Sequence, residues 1–293
     1  MFSSFIVWYL VLAGAGSGAL AVAAVFEFRR GGSEGLGMGS LRSGQGGFVV
    51  APPLIALAGV ALTLDLGRPD RIWSVMLHPF HSIASFGACS LVGVLALSVA
   101  TVAYLALRRD PSARIARALL IADMVFALAT MAYSGLLLST LQSVPFWETL
   151  LVPALFVISS LSAGLALAVC VGFFLGSPAC ETCDAASWTA STALSVIEAV
   201  VLVALLAHAA ASGGAAADSL NSLLFGGGAL LFWAGIVGAG LLVPVACHLL
   251  SRLFPRQVLL LVSLSGVLVG TVCLRYGIVD AGMNVIEATG TVL

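Results

Sequence analysis

Tyr133 to Trp147 reads Tyr-Ser-Gly-Leu-Leu-Leu-Ser-Thr-Leu-Gln-Ser-Val-Pro-Phe-Trp. It closes one apolar run with a tyrosine, crosses a short polar turn, and reaches Pro145 and Trp147 just before a second apolar run. Tryptophan and tyrosine gather where a bilayer meets water, because each joins an apolar ring to a polar tip. The stretch is therefore predicted to be an interfacial hairpin between two membrane-spanning helices.

Working outward, the same pattern repeats along the sequence. Apolar segments occupy 5–27, 47–66, 83–107, 115–139, 150–175, 188–211, 222–250 and 257–276. Each is long enough to cross a hydrocarbon core of about 30 Å as a helix, the form that keeps backbone hydrogen bonds within one segment. Hydrophobic residues make up 61% of the total and charged ones 9%, with mean hydropathy +1.15. A soluble domain carries roughly a quarter charged residues, so that class is excluded. The expected fold is an all-α integral membrane protein of eight transmembrane helices in two four-helix bundles, 1–140 and 141–293. The seventh segment is long enough to tilt, with Pro244 able to kink it, and the second carries Pro52 and Pro53 near its start.

All 12 basic residues are arginines, and their placement orients the bundle. Arg29, Arg30, Arg42, Arg108, Arg109, Arg114, Arg117, Arg252 and Arg256 fall on one side; Arg68, Arg71 and Arg275 fall on the other. The positive-inside rule puts the first set in the cytoplasm, with both termini and the hairpins 65–82 and 140–149 outside. A multi-pass cytoplasmic (inner) membrane protein is expected. Met1 to Phe5 lacks the positive region of a cleaved signal peptide, so the first helix is read as retained. A net charge of −1 gives no reason to expect nucleic acid as a partner.

Two small-residue runs are alike: Leu12 to Ala24 and Leu161 to Val171, each in the first helix of a half of four. A parallel duplication explains them, and so does tight helix packing, which selects Gly and Ala independently. Among six cysteines, Cys180 and Cys183 form a C-x-x-C in the polar loop 177–187. One such pair without further ligands is a weak metal signal, so no metal site is expected.

Ionisable side chains in a span are costly and mark sites by default. Asp65, Arg68, Tyr133, Arg275, Trp8 and Tyr9 all map to the outer leaflet; Arg275 is placed at the outer end of the eighth helix. A phenol, a carboxylate and a guanidinium together suit binding a quinone carbonyl and handling its protons. An interfacial aromatic belt and a capped helix end explain the same residues without function. Asp123 and Glu198 lie deeper, as protonated groups, a proton path, or carboxyls satisfied by hydroxyls such as Ser134 and Ser195. His78, His81, His208 and His248 include no two at matching depth inside spans, so haem is not expected.

Four places, in this order and spacing, resemble the NrfD-like family, the membrane subunit of polysulfide reductase and its relatives. They are Trp8 to Gly14, Leu64 to Pro69, Tyr133 to Gly164 and Leu274 to Gly282. The dimethyl sulfoxide reductase membrane anchor resembles this plan more distantly, with histidine where Asp65 stands. The family resemblance implies eight helices in two bundles without haem, and a menaquinone site near the outer face. It implies a docked iron–sulfur subunit of four-cluster ferredoxin type and a molybdopterin catalytic subunit, with those cofactors held only in the partners. By the same resemblance Tyr133 is the quinone-contacting tyrosine, and Asp65 with Arg68 its acidic-and-basic pair. A histidine that some members have at the start of helix one is absent, where Trp8 and Tyr9 stand.

The expected function is thus the membrane anchor of an anaerobic respiratory oxidoreductase complex. It would oxidise menaquinol, or reduce quinone, near the outer face and exchange electrons with the iron–sulfur subunit. Tyr133, Asp65 and Arg68 would act at the quinone; Trp8, Tyr9 and Arg275 would line its site. Asp123 and Glu198 would form a proton route. A secondary transporter with midplane carboxylates is the alternative.

Overall fold

The computed structural model describes residues 4–30, 46–65, 83–107, 112–140, 145–175, 180–251, 253 and 256–289. All regular structure among them is helical. The spanning helices are α1 (Ser4–Arg30), α2 (Gly46–Asp65), α3 (Ile83–Leu107), α4 (Ala113–Ser139), α5 (Leu151–Phe174) and α6 (Cys180–Ser212). A short α7 (Gly214–Phe225) precedes a π-helical segment (Leu231–Leu242), which runs into α8 (Val243–Leu250); α9 (Arg256–Thr289) ends the fold. Among the described residues eight helices are long and apolar enough to cross a membrane, the π segment and α8 together forming the seventh. Their lengths follow from the solvent: in hydrocarbon every backbone N–H needs a partner within its own helix.

Three boundaries differ from the sequence expectation. The C-x-x-C segment is not all loop, because α6 begins at Cys180. The segment 222–250 is not one helix: α7 stops at Phe225, a turn through Gly226 and Gly228 follows, and the span restarts at Leu231. Three successive glycines lack side chains to hold a helix, which is why an apolar run breaks there. The π segment bonds residues five apart up to Val243 N–H on Gly238, just before Pro244 at the start of α8. Finally, α9 does not stop near Tyr276 but runs to Thr289.

The centre of the fold is the crossing of α1 with α5, flanked by α2 and α4 on one side and by α6 and α9 on the other. At that crossing a Cβ on Gly18 would collide with the Ser160 carbonyl, and one on Gly164 with the backbone of Gly18 and Ala19. The two similar runs therefore meet face to face. Their small residues are what let the two backbones touch.

The Tyr133–Trp147 hairpin joins α4 to α5. Thr140 N–H bonds the Leu136 carbonyl to close α4, and Leu151 N–H bonds Thr149 Oγ1 to open α5. Gly135 lies against Pro153, so the two helices approach without a side chain between them. Trp147 does not lie in an interfacial belt. It is fully buried, donates its indole N–H to the Ile278 carbonyl at 3.0 Å, and packs where a Cβ on Gly282 would fall.

Candidate functional site

Tyr9 and Tyr133 come together near the ends of α1 and α4. Both side chains are buried, at 2% and 4% exposure, although each carries a hydroxyl that prefers water. The Tyr133 ring lies over Gly87 of α3 so closely that a Cβ there would fall inside it. The Tyr133 phenol interacts electrostatically with Tyr9, whose own hydroxyl has no hydrogen-bond partner. A buried hydroxyl without a partner is costly, by about 1–3 kcal/mol, unless a ligand or water completes it. Two phenols offering O–H groups in an apolar setting suit a ligand with carbonyl oxygens, which only accept.

Trp8 faces away from Tyr9. Neighbouring residues on a helix point about 100° apart, and Trp8 is 45% exposed with its ring edge-on to Tyr276 at 6.3 Å. Asp65 is half-buried as the last residue of α2 and is engaged within the fold. Arg68, His78 and His81 lie outside the described residues, as do the side chains of Cys180 and Cys183.

Arg275 is not at a helix end. It sits inside the eighth span, Val258–Met283, and is wholly buried. Its guanidinium crosses from α9 to α5, donating to Ser160 Oγ at 2.7 Å and Ser159 Oγ at 3.5 Å. It lies 5.2 Å from the centroid of the Phe156 ring, in a cation–π arrangement. Gly14 of α1 completes the seat, since a Cβ there would strike the guanidinium. Glu198 of α6, 6% exposed, is its electrostatic counterpart, with the hydroxyls of Ser159 and Ser162 beside the carboxyl. Four helices thus converge on one buried acid–base pair. Such a pair holds charge inside an apolar core only because hydroxyls and a ring surround it.

Asp123 is equally buried but stands elsewhere. Its Oδ2 accepts from Thr101 Oγ1 of α3 at 2.6 Å, while Oδ1 has no partner. The hydroxyls expected to serve these carboxyls do not. Ser134 bonds the Met131 carbonyl, because a serine in a helix most readily returns its proton to the preceding turn, and Ser195 Oγ is unpartnered.

Gly87, Gly14, Phe156, Ser159 and Ser160 escape a site reading from sequence. The readable signal is the Ser159-Ser160-Leu161-Ser162 run, three hydroxyls in an apolar span that contains no charge of its own. Among the described residues no three His, Cys, Asp or Glu gather to hold a metal ion.

Similarity to known proteins covers most of the sequence. The sequence is 29% identical to the polysulfide reductase C subunit of Wolinella succinogenes, over 94% of its own length and 92% of that protein. It is 28% identical to protein NrfD of Escherichia coli over 80% of each, and 28% identical to an NrfD homolog of Haemophilus influenzae over 94% and 92%. The sequence model described as "Polysulphide reductase, NrfD" matches residues 1–287, and the protein belongs to that NrfD family.

Proposed function

We propose that this protein is the membrane subunit of a respiratory oxidoreductase and that a quinone reacts beside the Tyr9–Tyr133 pair. The observation that carries the reading is the pair of buried phenols, the Tyr9 hydroxyl unpartnered and the Tyr133 ring held against a glycine of a third helix. In this reading Tyr133 and Tyr9 donate to a menaquinone carbonyl, which draws the ring's oxygen into a fixed position. Asp65, oriented by Arg68, exchanges protons with the quinol near the outer face. Electrons pass to or from a docked iron–sulfur subunit of ferredoxin type, and a molybdopterin subunit carries out the terminal reaction. The membrane subunit supplies position and electrostatics; the redox chemistry belongs to the quinone and the partners' centres. Relatives named for polysulfide reductase and for NrfD support the subunit role.

Asp123, hydrogen-bonded by Thr101, and Glu198, beside Arg275, are proposed steps of a proton route from the cytoplasm. The protein is further proposed to divide into bundles 1–140 and 141–293, with both termini outside the cytoplasmic membrane.

Affinity purification from native membranes in mild detergent tests the reading. Co-purifying iron, acid-labile sulfide and molybdenum, with spectral bleaching on adding menaquinol, is the expected result. A colourless single polypeptide that transports a solute in vesicles would overturn it.

A further inference from the structure

A cleft of about 500 Å³ opens on the surface between α4 and α6, and every residue lining it is apolar. Met124 and Leu128 form one wall, Ala193 and Ile197 the other, and Val22 with Leu165 belong to the floor supplied by α1 and α5. The walls make almost no direct packing with each other. The cleft lies within the membrane spans of all four helices.

Its size selects the occupant. Along α4 the lining runs from Met124 to Met131, seven residues or about 10 Å. That height is less than two turns of helix, too short a seat for a partner's transmembrane helix of about 20 residues and 30 Å. Water does not fill an apolar cavity without polar partners. A hydrocarbon tail meets both limits.

One end of the cleft is marked. On α4, Arg117, Ile121, Met124 and Leu128 share a stripe at helical spacing, so the face that walls the cleft ends in an exposed arginine. Arg117 stands about 10 Å beyond Met124, with exposed Arg114 one turn further. Arg117 already has an interaction within the fold, and a guanidinium with five donors can serve a phosphate as well. The Tyr133 ring is on the other face of α4, against Gly87 of α3, and is no part of the cleft's lining.

We propose that this cleft seats one acyl tail of an anionic phospholipid from the leaflet on the arginine-rich side, with its phosphate at Arg117. The lipid fills the gap between α4 and α6 and ties the two walls together.

The test is lipid retention by the protein purified from native membranes in mild detergent, with its bound subunits, after exhaustive detergent exchange. Wild type should keep an anionic phospholipid that extraction and mass spectrometry detect. Ala193→Trp, which fills the cleft, should lose it, and Arg117→Gln should retain it at least about tenfold less well. Val200→Trp, on an exposed face outside the lining, should keep it. Equal retention by wild type and Ala193→Trp overturns the proposal, as does loss of menaquinone rather than phospholipid. If Ala193→Trp does not assemble, a phospholipid bearing a photoreactive group in its acyl tail decides on wild type. Labelling at Met124, Leu128 or Ile197 supports the seat; labelling only at other exposed residues overturns it.

Discussion

The indole N–H of Trp147 donates to the carbonyl oxygen of Ile278, 3.0 Å away and 131 positions along the sequence. That bond fastens the turn between α4 and α5 to the last helix, within four residues of Gly282, against which the ring rests. Helix α9 also carries Arg275, less than one turn before Ile278, so the hairpin and the buried pair share a support.

Trp147→Phe keeps most of the ring and removes the donor. The Ile278 carbonyl then loses its side-chain partner, and the expected cost is about 1 kcal/mol. Trp147→Ala adds a cavity and should cost about 3–5 kcal/mol. Thermal unfolding in detergent measures both. Equal effects of the two substitutions would show that the hydrogen bond, not the ring, carries the anchor.

Gly87→Ala tests the proposed quinone site from behind. Its methyl group would occupy the space of the Tyr133 ring, so the ring must move or α3 must retreat. Overpacking of this kind costs about 1–3 kcal/mol. Menaquinol-dependent turnover should fall at least about tenfold while assembled subunit persists in the membrane. Unchanged turnover would mean that the reaction does not depend on where Tyr133 stands.

Tyr133→Phe and Tyr9→Phe remove the two hydroxyls without changing packing. If Tyr133 moves a proton in the quinone reaction, its loss should lower turnover about 10²-fold or more. Tyr9→Phe should act mainly on quinol affinity, raising KM with a smaller change in kcat. It should also stabilise the empty protein, since it deletes a buried hydroxyl that has no partner. Steady-state kinetics on membranes, with unfolding curves beside them, separate the two roles. A purely structural anchor would show neither kinetic change.

The spans are legible because lipid leaves the sequence no alternative. An apolar run of about 20 residues must be a helix in a bilayer. What composition does not reveal is which way a side chain faces. Trp8 and Trp147 read alike as interfacial tryptophans, yet one is half-exposed and the other is fully enclosed. Arg275 and Tyr276 look like a helix end, because a charge in an apolar run usually marks water. Here the charge is met instead by Ser159 and Ser160 of a helix more than a hundred residues earlier. The tyrosine pair is readable as a shared leaflet, but Gly87, which makes room for it, carries no signal of its own.

Gly18→Val or Gly164→Val should part the central crossing. Each places a side chain in the opposite backbone, where no flexible group can yield. The expected result is failure to accumulate in the membrane, read by immunoblot, whereas Gly172→Ala, whose methyl would meet nothing, should accumulate normally. Normal levels of the Gly18 variant would mean that α1 and α5 do not depend on backbone contact.

Arg275 and Glu198 depend on each other. Each is buried among hydroxyls, and their charges compensate across α9 and α6. Removing one partner leaves the other charge unbalanced in a low-dielectric core, at a cost of about 3–5 kcal/mol. Arg275→Gln alone should therefore destabilise strongly. Glu198→Gln should cost less, since an amide can still bond Ser159 or Ser162 and the guanidinium keeps Ser160 and Phe156. The double substitution should recover part of the loss, because no lone charge remains. Turnover then distinguishes support from proton traffic. A stable double variant that still oxidises menaquinol but no longer acidifies or alkalinises the vesicle lumen would place the pair on a proton route. One that does both as wild type would leave it as a structural clasp between the last helix and the rest of the fold.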